Sequence, residues 1–522
     1  MKSDSHGSHV IGATAVFVLS LLWLSWIVLR RFSITFDEGI FVDGSRRILA
    51  GQVPYRDFFI VMGPGTFWLQ ALALRAFGIT LAASRAILLL DLAILATCVF
   101  WLVSRQLSVA YAAWTAALLL ILETANQGIM IPSHRWDSAA LAVLAITICA
   151  SEPRRWAIFA AGCAAAFAAW TTPPIALVGF VILIWLWCED RLYVLPYLAG
   201  SATVSIACAT ALAVQGGLAP MARQFLWNGS NYMGANFLPY GSLFGRGYTQ
   251  FFSGATIYEL PIRALVMFGF IVPILLPPVA VLCFLKWRRS TFLQLLFLGG
   301  AALAASTYPR MDLPHLTYVA PLFYALLAIL AASIPWPKLR VGVFALGTLL
   351  LTVFAWSAIA QHSRETVLET GVGAIRVPRE DLAFVRDLER EVPQGSSLFV
   401  FPYLPIASFL TLSQNPTRYS YLQPGMMTAA DEATALAELH QNPPARILYF
   451  NLSERELLEI WPASDASHLR VRGIEKYLAA NYHKVRSLPT AKRTFDILEL
   501  KARAVATLPA PPASLRSDRG SR

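Results

Sequence analysis

Long apolar runs separated by short polar turns fill the first 360 positions or so of the chain. The first run, Val10 to Leu29, covers about twenty residues and is long enough to cross a bilayer as a helix. Further runs predict membrane helices near 81–104, 109–123, 136–150, 156–170, 174–188, 192–214, 263–285, 291–307, 316–333 and 341–360, about eleven in all. Several are shorter than twenty residues, as expected of helices tilted or buried within a bundle. Thr66 to Phe77 is apolar but short and reads as interfacial. Residues 215–262, rich in Gly, Asn, Tyr and Phe, read as a long loop.

From about residue 361 the long apolar runs stop and charge rises. Arg379 to Glu391 and Asp431 to His440 have helical character. Ser397 to Phe401, Arg446 to Phe450 and Phe495 to Leu500 read as strands. Alternating strands and helices predict a small α/β domain carrying a sheet. The expected organisation is a transmembrane domain over 1–360, an α/β domain over 361–502 and a disordered Ala/Pro/Ser/Arg-rich tail over 503–522.

Composition agrees with that pattern. The chain is 57% hydrophobic and 14% charged, with a mean hydropathy of +0.56, which excludes an ordinary soluble domain. The net charge of +11 therefore points to basic loops facing anionic lipid, not to nucleic acid. Arg105, Arg154, Arg155, Arg191, Lys286, Arg288, Arg289, Lys338 and Arg340 fall in alternate loops. The positive-inside rule makes those loops cytoplasmic and puts 31–80, 215–262 and the C-terminal region outside. The expected location is the cell inner (plasma) membrane, multi-pass. The first run lacks a small-residue cleavage site and reads as a retained anchor. Arg30, Arg31, Arg46, Arg47, Arg56 and Arg75 run against the rule by lying in an outside loop. Two uses stand open for them, an anionic ligand or lipid headgroups. All six cysteines lie in or beside apolar runs, without metal-ligand spacing, and read as buried hydrophobes.

Three polar clusters fall at the outside ends of the predicted helices. One is Asp37-Glu38 with Arg56-Asp57. The second is Ser133-His134-Arg135-Trp136-Asp137, and the third runs Pro309-Arg310-Met311-Asp312-Leu313-Pro314-His315. Acids at a membrane edge are costly and point to function, although Asp37 is also placed to N-cap a helix from Glu38 to Ala50. Arginines at a bilayer surface suit bidentate binding of phosphate, and a carboxylate suits proton removal from a hydroxyl. His134 and His315 read as hydrogen-bonding residues. No metal-ligand motif, Walker loop or dinucleotide fingerprint occurs, so no cofactor is required by the sequence; a divalent metal is allowed by it and unsupported.

The run Phe36-Asp37-Glu38-Gly39, followed by Gly51-Gln52-Val53-Pro54-Tyr55-Arg56-Asp57-Phe58 and Gly63-Pro64-Gly65, resembles the first outside loop of bacterial membrane glycosyltransferases. These belong to the GT-C superfamily, in the branch of the protein O-mannosyltransferases and aminoarabinose transferases. Pro309-Arg310 with Asp312 and His315, Phe401-Pro402-Tyr403, and Asn415-Pro416-Thr417-Arg418-Tyr419 are similar to patterns in a bacterial subgroup of that kind. The resemblance implies a GT-C-like polytopic helical fold with a small extracytoplasmic α/β domain. It also implies a hexosyl- or pentosyltransferase using a polyprenyl-phosphate-linked sugar, inverting, with a lipid, glycan or protein acceptor. Its acidic base carries over to Asp37, with Glu38 beside it. Arg56, Asp57, His134, Arg135, Asp137, Arg310, Asp312 and His315 are the expected substrate-binding residues. Related transferases often have a Lys before Pro-Pro, where this chain reads Met62-Gly63-Pro64-Gly65; the phosphate-binding cation would then be Arg56 or Arg310. The rival readings are a lipid or saccharide transporter without catalysis and an inactive scaffold displaying the α/β domain.

Overall fold

The expected spans fall on helices, except that 316–333 is split between two, Leu313–Tyr318 and Pro321–Ala332. The structure is a computed structural model, and it describes residues 6–502 apart from 126–127, 152–153, 244–250, 289, 424–426 and 465–469. The tail expected to be disordered lies outside the described residues. In the first half the longer helices are α1 (His6–Ile27), α2 (Asp37–Leu49), α3 (Gly65–Phe77), α4 (Leu81–Ser104), α5 (Val109–Ala125), α6 (His134–Ala150), α7 (Arg155–Thr171), α8 (Ala176–Glu189), α9 (Val194–Val214) and α10 (Leu218–Trp227). Then come α11 (Leu260–Trp287), α12 (Thr291–Ala305), α13 (Leu313–Tyr318), α14 (Pro321–Ala332) and α15 (Pro337–His362). Five segments, lying on α1, α4, α9, α11 and α15, are long and apolar enough to cross a membrane; α5, α8, α12 and α14 are shorter apolar helices. The protein is thus a multi-pass membrane protein with a mostly helical fold. The segment read as a loop over 215–262 in fact opens with α10.

Small residues let the bundle helices approach closely, as is usual in lipid. A side chain at Gly162 of α7 would collide with the carbonyl of Tyr197 on α9, and one at Gly200 with the carbonyl of Phe159 on α7. α4 runs through the middle of the bundle, with Leu88, Val99, Phe100 and Leu102 fully enclosed.

The C-terminal region begins with a hairpin, β1 (Glu365–Thr370) and β2 (Gly373–Pro378), followed by α16 (Leu382–Glu391), β3 (Leu398–Phe401) and α17 (Ile406–Leu410). It continues with α18 (Ala429–Gln441), β4 (Arg446–Tyr449), α19 (Glu454–Ile460), α20 (Arg472–Asn481), β5 (Tyr482–Pro489) and β6 (Thr494–Leu500). Four strands form a sheet of order β3-β4-β6-β5. β3 and β4 are parallel, as a crossover through α18 requires, and the other pairs are antiparallel. β3 is buried along its whole length, so it reads as a continuous apolar run without alternation.

The apolar core of this region does not stop at its own boundary. Phe399, Phe401, Leu404 and Phe409 share one buried cluster with Phe41, Phe58 and Phe67 of the first outside segment. A side chain at Gly39 would overlap the backbone of Pro405 and Ile406, so α2 and α17 meet backbone to backbone. Around that contact Arg47 donates to the carbonyls of Thr417 (2.6 Å) and Arg418 (3.2 Å). Arg46 bridges Asp43 and the Ser413 carbonyl, and Ser420 donates to Asp43 at 2.9 Å. Arg31 pairs with Glu365 at 2.8 Å. Arg31, Arg46 and Arg47, left open between anion and headgroup binding, thus hold the C-terminal region onto the segment that carries Asp37.

Candidate active site

α2 starts at Asp37, and its N-cap is Phe36, with no side-chain capping bond. The capping use of Asp37 is therefore not made. Asp37 is exposed, yet burial is the first cause raising its pKa. Arg310 and Arg135 oppose that rise and Asp312 adds to it. The Asp37 carboxylate is thus reached by solvent while protein atoms surround it. The raised pKa means that ionisation costs more here than in water, while the two arginines keep the charged form within range.

Glu38, the next residue, is fully buried and plays a different part. Arg85 on α4 donates to both of its oxygens, Nε to Oε1 at 2.7 Å and the other guanidinium arm to Oε2 at 2.8 Å. A further Arg85 N–H donates to the Val28 carbonyl at 3.0 Å. Bidentate geometry of this kind fixes orientation as well as distance. Glu38 thereby fastens the first turn of α2 to the bundle.

Around Asp37 the chain assembles groups far apart in sequence. Asp312 is the N-cap of α13, accepting from the His315 N–H at 3.2 Å, and its carboxylate also meets the His315 ring. Arg310 reaches Asp312 at 3.4 Å, Asn236 at 3.1 Å and the Ile460 carbonyl at 3.2 Å. Burial works against the charge on Asp312, but His315 and Arg310 outweigh it and hold the pKa down to about 2. Burial, with Arg135 alongside, lowers His315 to about 4. His315 is then neutral near pH 7 and gives its Nδ1 proton to ionised Asp312, which leaves Nε2 as an acceptor. Tyr318 and Tyr403 complete the surround. Burial first, and then the negative charge of Asp37, raises the pKa of the Tyr403 phenol. Tyr403 comes from the C-terminal region and packs on Phe36, with ring centroids 4.6 Å apart.

At the start of α6, Ser133 is the N-cap. Thr172 donates to the His134 carbonyl at 3.0 Å, so at 2.7 Å the His134 Nδ1 is the donor to the Thr172 hydroxyl. Arg135 is half-buried and among the described residues makes no ion pair; it is within electrostatic reach of Asp37, Asp312 and Arg310. Asp137 points elsewhere. It accepts from Thr66 at 2.5 Å. Arg56 and Asp57 form an exposed pair at 2.7 Å. Arg56 also donates to the Gln215 carbonyl at 2.7 Å, and Asp57 accepts from the Val53 N–H at 2.7 Å. That pair stabilises its own turn, and neither member is among the charges acting on Asp37.

The structure thus gathers Asp37, His134, Arg135, Arg310, Asp312 and His315. It sets Asp137 into the bundle and Arg56-Asp57 on a surface turn. Sequence reasoning missed Arg85 and Tyr318, while Tyr403 belongs to the Phe401-Pro402-Tyr403 motif singled out there. Arg85 did leave a signal, as a lone cation inside an apolar run. A groove of about 380 Å³ beside Glu369, Glu389 and Gln394 lies in the C-terminal region and is lined by none of the site residues. Among the described residues no group of three or more His, Cys, Asp or Glu is placed to hold a metal ion.

No protein-family model matches the chain, and no curated protein matches it. Among solved structures it is similar to ArnT from Cupriavidus metallidurans bound to undecaprenyl phosphate. The TM-score is 0.54 at 14% identity, covering 97% of this chain and 100% of that one. The apo state of that protein gives 0.55 at 15% identity, covering 96% and 99%. The oligosaccharyltransferase of Archaeoglobus fulgidus gives 0.48 at 14% identity, covering 83% of this chain and 67% of that one. The ArnT likeness, running over nearly the full length of both chains, is a likeness of fold, and the fold is GT-C-like, as the sequence resemblance implied.

Proposed function

We propose that this protein is a membrane glycosyltransferase that moves a hexosyl or pentosyl group from a polyprenyl phosphate to an acceptor hydroxyl. The observation that carries the reading is the accessible Asp37 carboxylate with the Arg135 and Arg310 guanidinium groups acting on it. Support comes from the fold shared with ArnT, whose structure holds undecaprenyl phosphate. The site belongs at the extracytoplasmic face of the plasma membrane, with the C-terminal α/β domain on the same side.

The chemistry follows from the groups present. Asp37 takes the proton of the acceptor hydroxyl as its oxygen attacks the anomeric carbon. The bond from that carbon to the phosphate oxygen breaks, and the polyprenyl phosphate leaves with the electron pair. Attack opposite the leaving group inverts the anomeric centre, by the same geometry as in single-displacement glycoside hydrolysis. The negative charge that grows on the phosphate is met by Arg135 and by Arg310, the latter held beforehand by Asp312, Asn236 and the Ile460 carbonyl. Asp312 and His315 keep Arg310 in register, and Glu38 holds α2 through Arg85.

The test is a screen of polyprenyl-phosphate sugars with purified full-length protein, using Asp37→Asn as the control. Sugar release or transfer by the parent protein and its loss in the variant is the expected result. Donor binding with no turnover in either protein would overturn the reading and favour the transporter.

A further inference from the structure

Arg493 sits between β5 and β6, at the turn of the sheet's outer hairpin. Its guanidinium lies over the ring of Phe36, 5.4 Å from the centroid, and over that of Phe450, at 5.1 Å. Phe36 and Phe450 are themselves stacked at 5.7 Å. The C-terminal domain therefore brings a positive charge to the residue next to Asp37. An arginine stacked on rings has its flat faces covered by carbon, while its N–H edge stays available in the plane. Among the described residues Arg493 has no ion-pair partner. The acid that feels its charge, Glu456, is occupied by the Ser453 N–H at 2.9 Å and the Ser453 hydroxyl at 2.8 Å. Tyr403 feels both Arg493 and Asp37, which places the three around one spot.

Cations thus stand on two sides of the Phe36-Asp37 step: Arg135 and Arg310 act on Asp37, and Arg493 covers the ring of Phe36. Arg135 and Arg310 belong to the bundle side, and Arg493 to the C-terminal domain. A single displacement needs donor and acceptor on opposite sides of the reacting carbon. With the donor phosphate on the bundle side, the acceptor lies under the C-terminal domain. We infer that Arg493 binds an anionic group, a phosphate or carboxylate, carried by the acceptor. This rests on the transferase reading above.

The experiment measures binding to full-length protein in nanodiscs. The probes are an octyl glucoside phosphate, its unphosphorylated parent and undecaprenyl phosphate; the proteins are the parent, Arg493→Gln and Arg493→Lys. Loss of a charge-assisted contact is expected to weaken the phosphorylated probe roughly tenfold to a hundredfold in Arg493→Gln. Arg493→Lys is expected to recover part of it. Binding of the unphosphorylated parent and of undecaprenyl phosphate is expected to be unchanged, which also shows that the variant is folded. Equal binding of the two octyl probes by the parent protein, or of the phosphorylated probe by parent and Arg493→Gln, would overturn the inference. Weakened undecaprenyl phosphate in Arg493→Gln would also overturn it, by assigning Arg493 to the donor. These outcomes are read from binding alone, so they are separable from a donor screen that fails.

Discussion

Arg85 holds both oxygens of Glu38, at 2.7 and 2.8 Å, and the two side chains are 1% and 0% exposed. This closed pair divides two adjacent acids into one that anchors, Glu38, and one that stays exposed, Asp37. Removing one partner of a buried pair strands the other charge, at a cost of roughly 3–5 kcal/mol. Arg85→Met and Glu38→Leu are each expected to lower thermal stability by that order in detergent. The double variant is expected to regain most of the loss, because neither charge is left alone. Loss that simply adds in the double variant would show that the pair is not the unit.

Asp37→Asn is expected to reduce transfer by about 10²- to 10⁴-fold, the usual scale for losing a general base. Phe36, not Asp37, is the N-cap, so no capping bond is lost. The carboxyl has its pKa raised in the folded protein. The folded state therefore holds that proton more tightly than the unfolded chain, and the group weakens folding as pH rises through the two values. An amide has no such charge. The melting temperature near pH 7 should thus equal or exceed that of the parent, and the rate of the parent should fall on acidification at a pH above the usual carboxylate range.

His315 is lowered from 6.5 to about 4 and Asp312 from 3.8 to about 2. Both folded forms bind protons less readily than the unfolded chain, so both cost stability as pH falls. The loss from His315 falls between pH 6.5 and about 4, and that from Asp312 between 3.8 and about 2. His315→Gln should flatten the melting temperature against pH in the upper window and also reduce the slope in the lower one, because His315 is the main group holding the Asp312 pKa down. An unchanged upper slope would remove His315 as its source.

Gly39→Ala places a methyl group in the backbone of Pro405 and Ile406. Overpacking of this sort typically costs about 1–3 kcal/mol. Limited proteolysis is expected to cut the C-terminal region of this variant sooner, and turnover to fall with it although no catalytic atom is altered.

Membrane sidedness is checked with single cysteines in a protein freed of its native ones. Arg288→Cys should react with a membrane-impermeant reagent only from the cytoplasmic side, and Lys492→Cys only from the opposite side, as the alternation of basic loops requires. Labelling of Arg288→Cys from outside would reverse the assignment.

Much of this protein was legible in its sequence because lipid simplifies the code: a spanning backbone must satisfy itself, so apolar runs become helices. β4 and β6 were legible too. β5 was not, because its burial is mostly exposed or intermediate from His483 to Ser487, and a polar edge strand carries no clean alternation. The β1–β2 hairpin escaped although Gly371 and Gly373 bracket its turn. At the site, Asp37, Arg310, Asp312 and His315 were recognisable because each sits at the end of an apolar run. Arg56-Asp57 looked equivalent by that criterion, but adjacency let the two neutralise each other on a turn. Tyr403 lies in the Phe401-Pro402-Tyr403 motif, but its ring packs on Phe36, more than three hundred positions earlier; no local pattern reports that partner.

Three successive residues of α2 face three different surroundings: Asp37 solvent, Glu38 the bundle through Arg85, and Gly39 the backbone of α17. Arg46 reinforces the last junction across 367 positions of sequence. During synthesis α2 leaves the ribosome early, while the partners of Gly39 and Arg46 emerge only after the bundle has been threaded into the membrane. The surroundings of Asp37 therefore stay unfinished until the last tenth or so of the described chain is being made. A chain that stops before these partners keeps its membrane helices but lacks the contacts that position the start of α2.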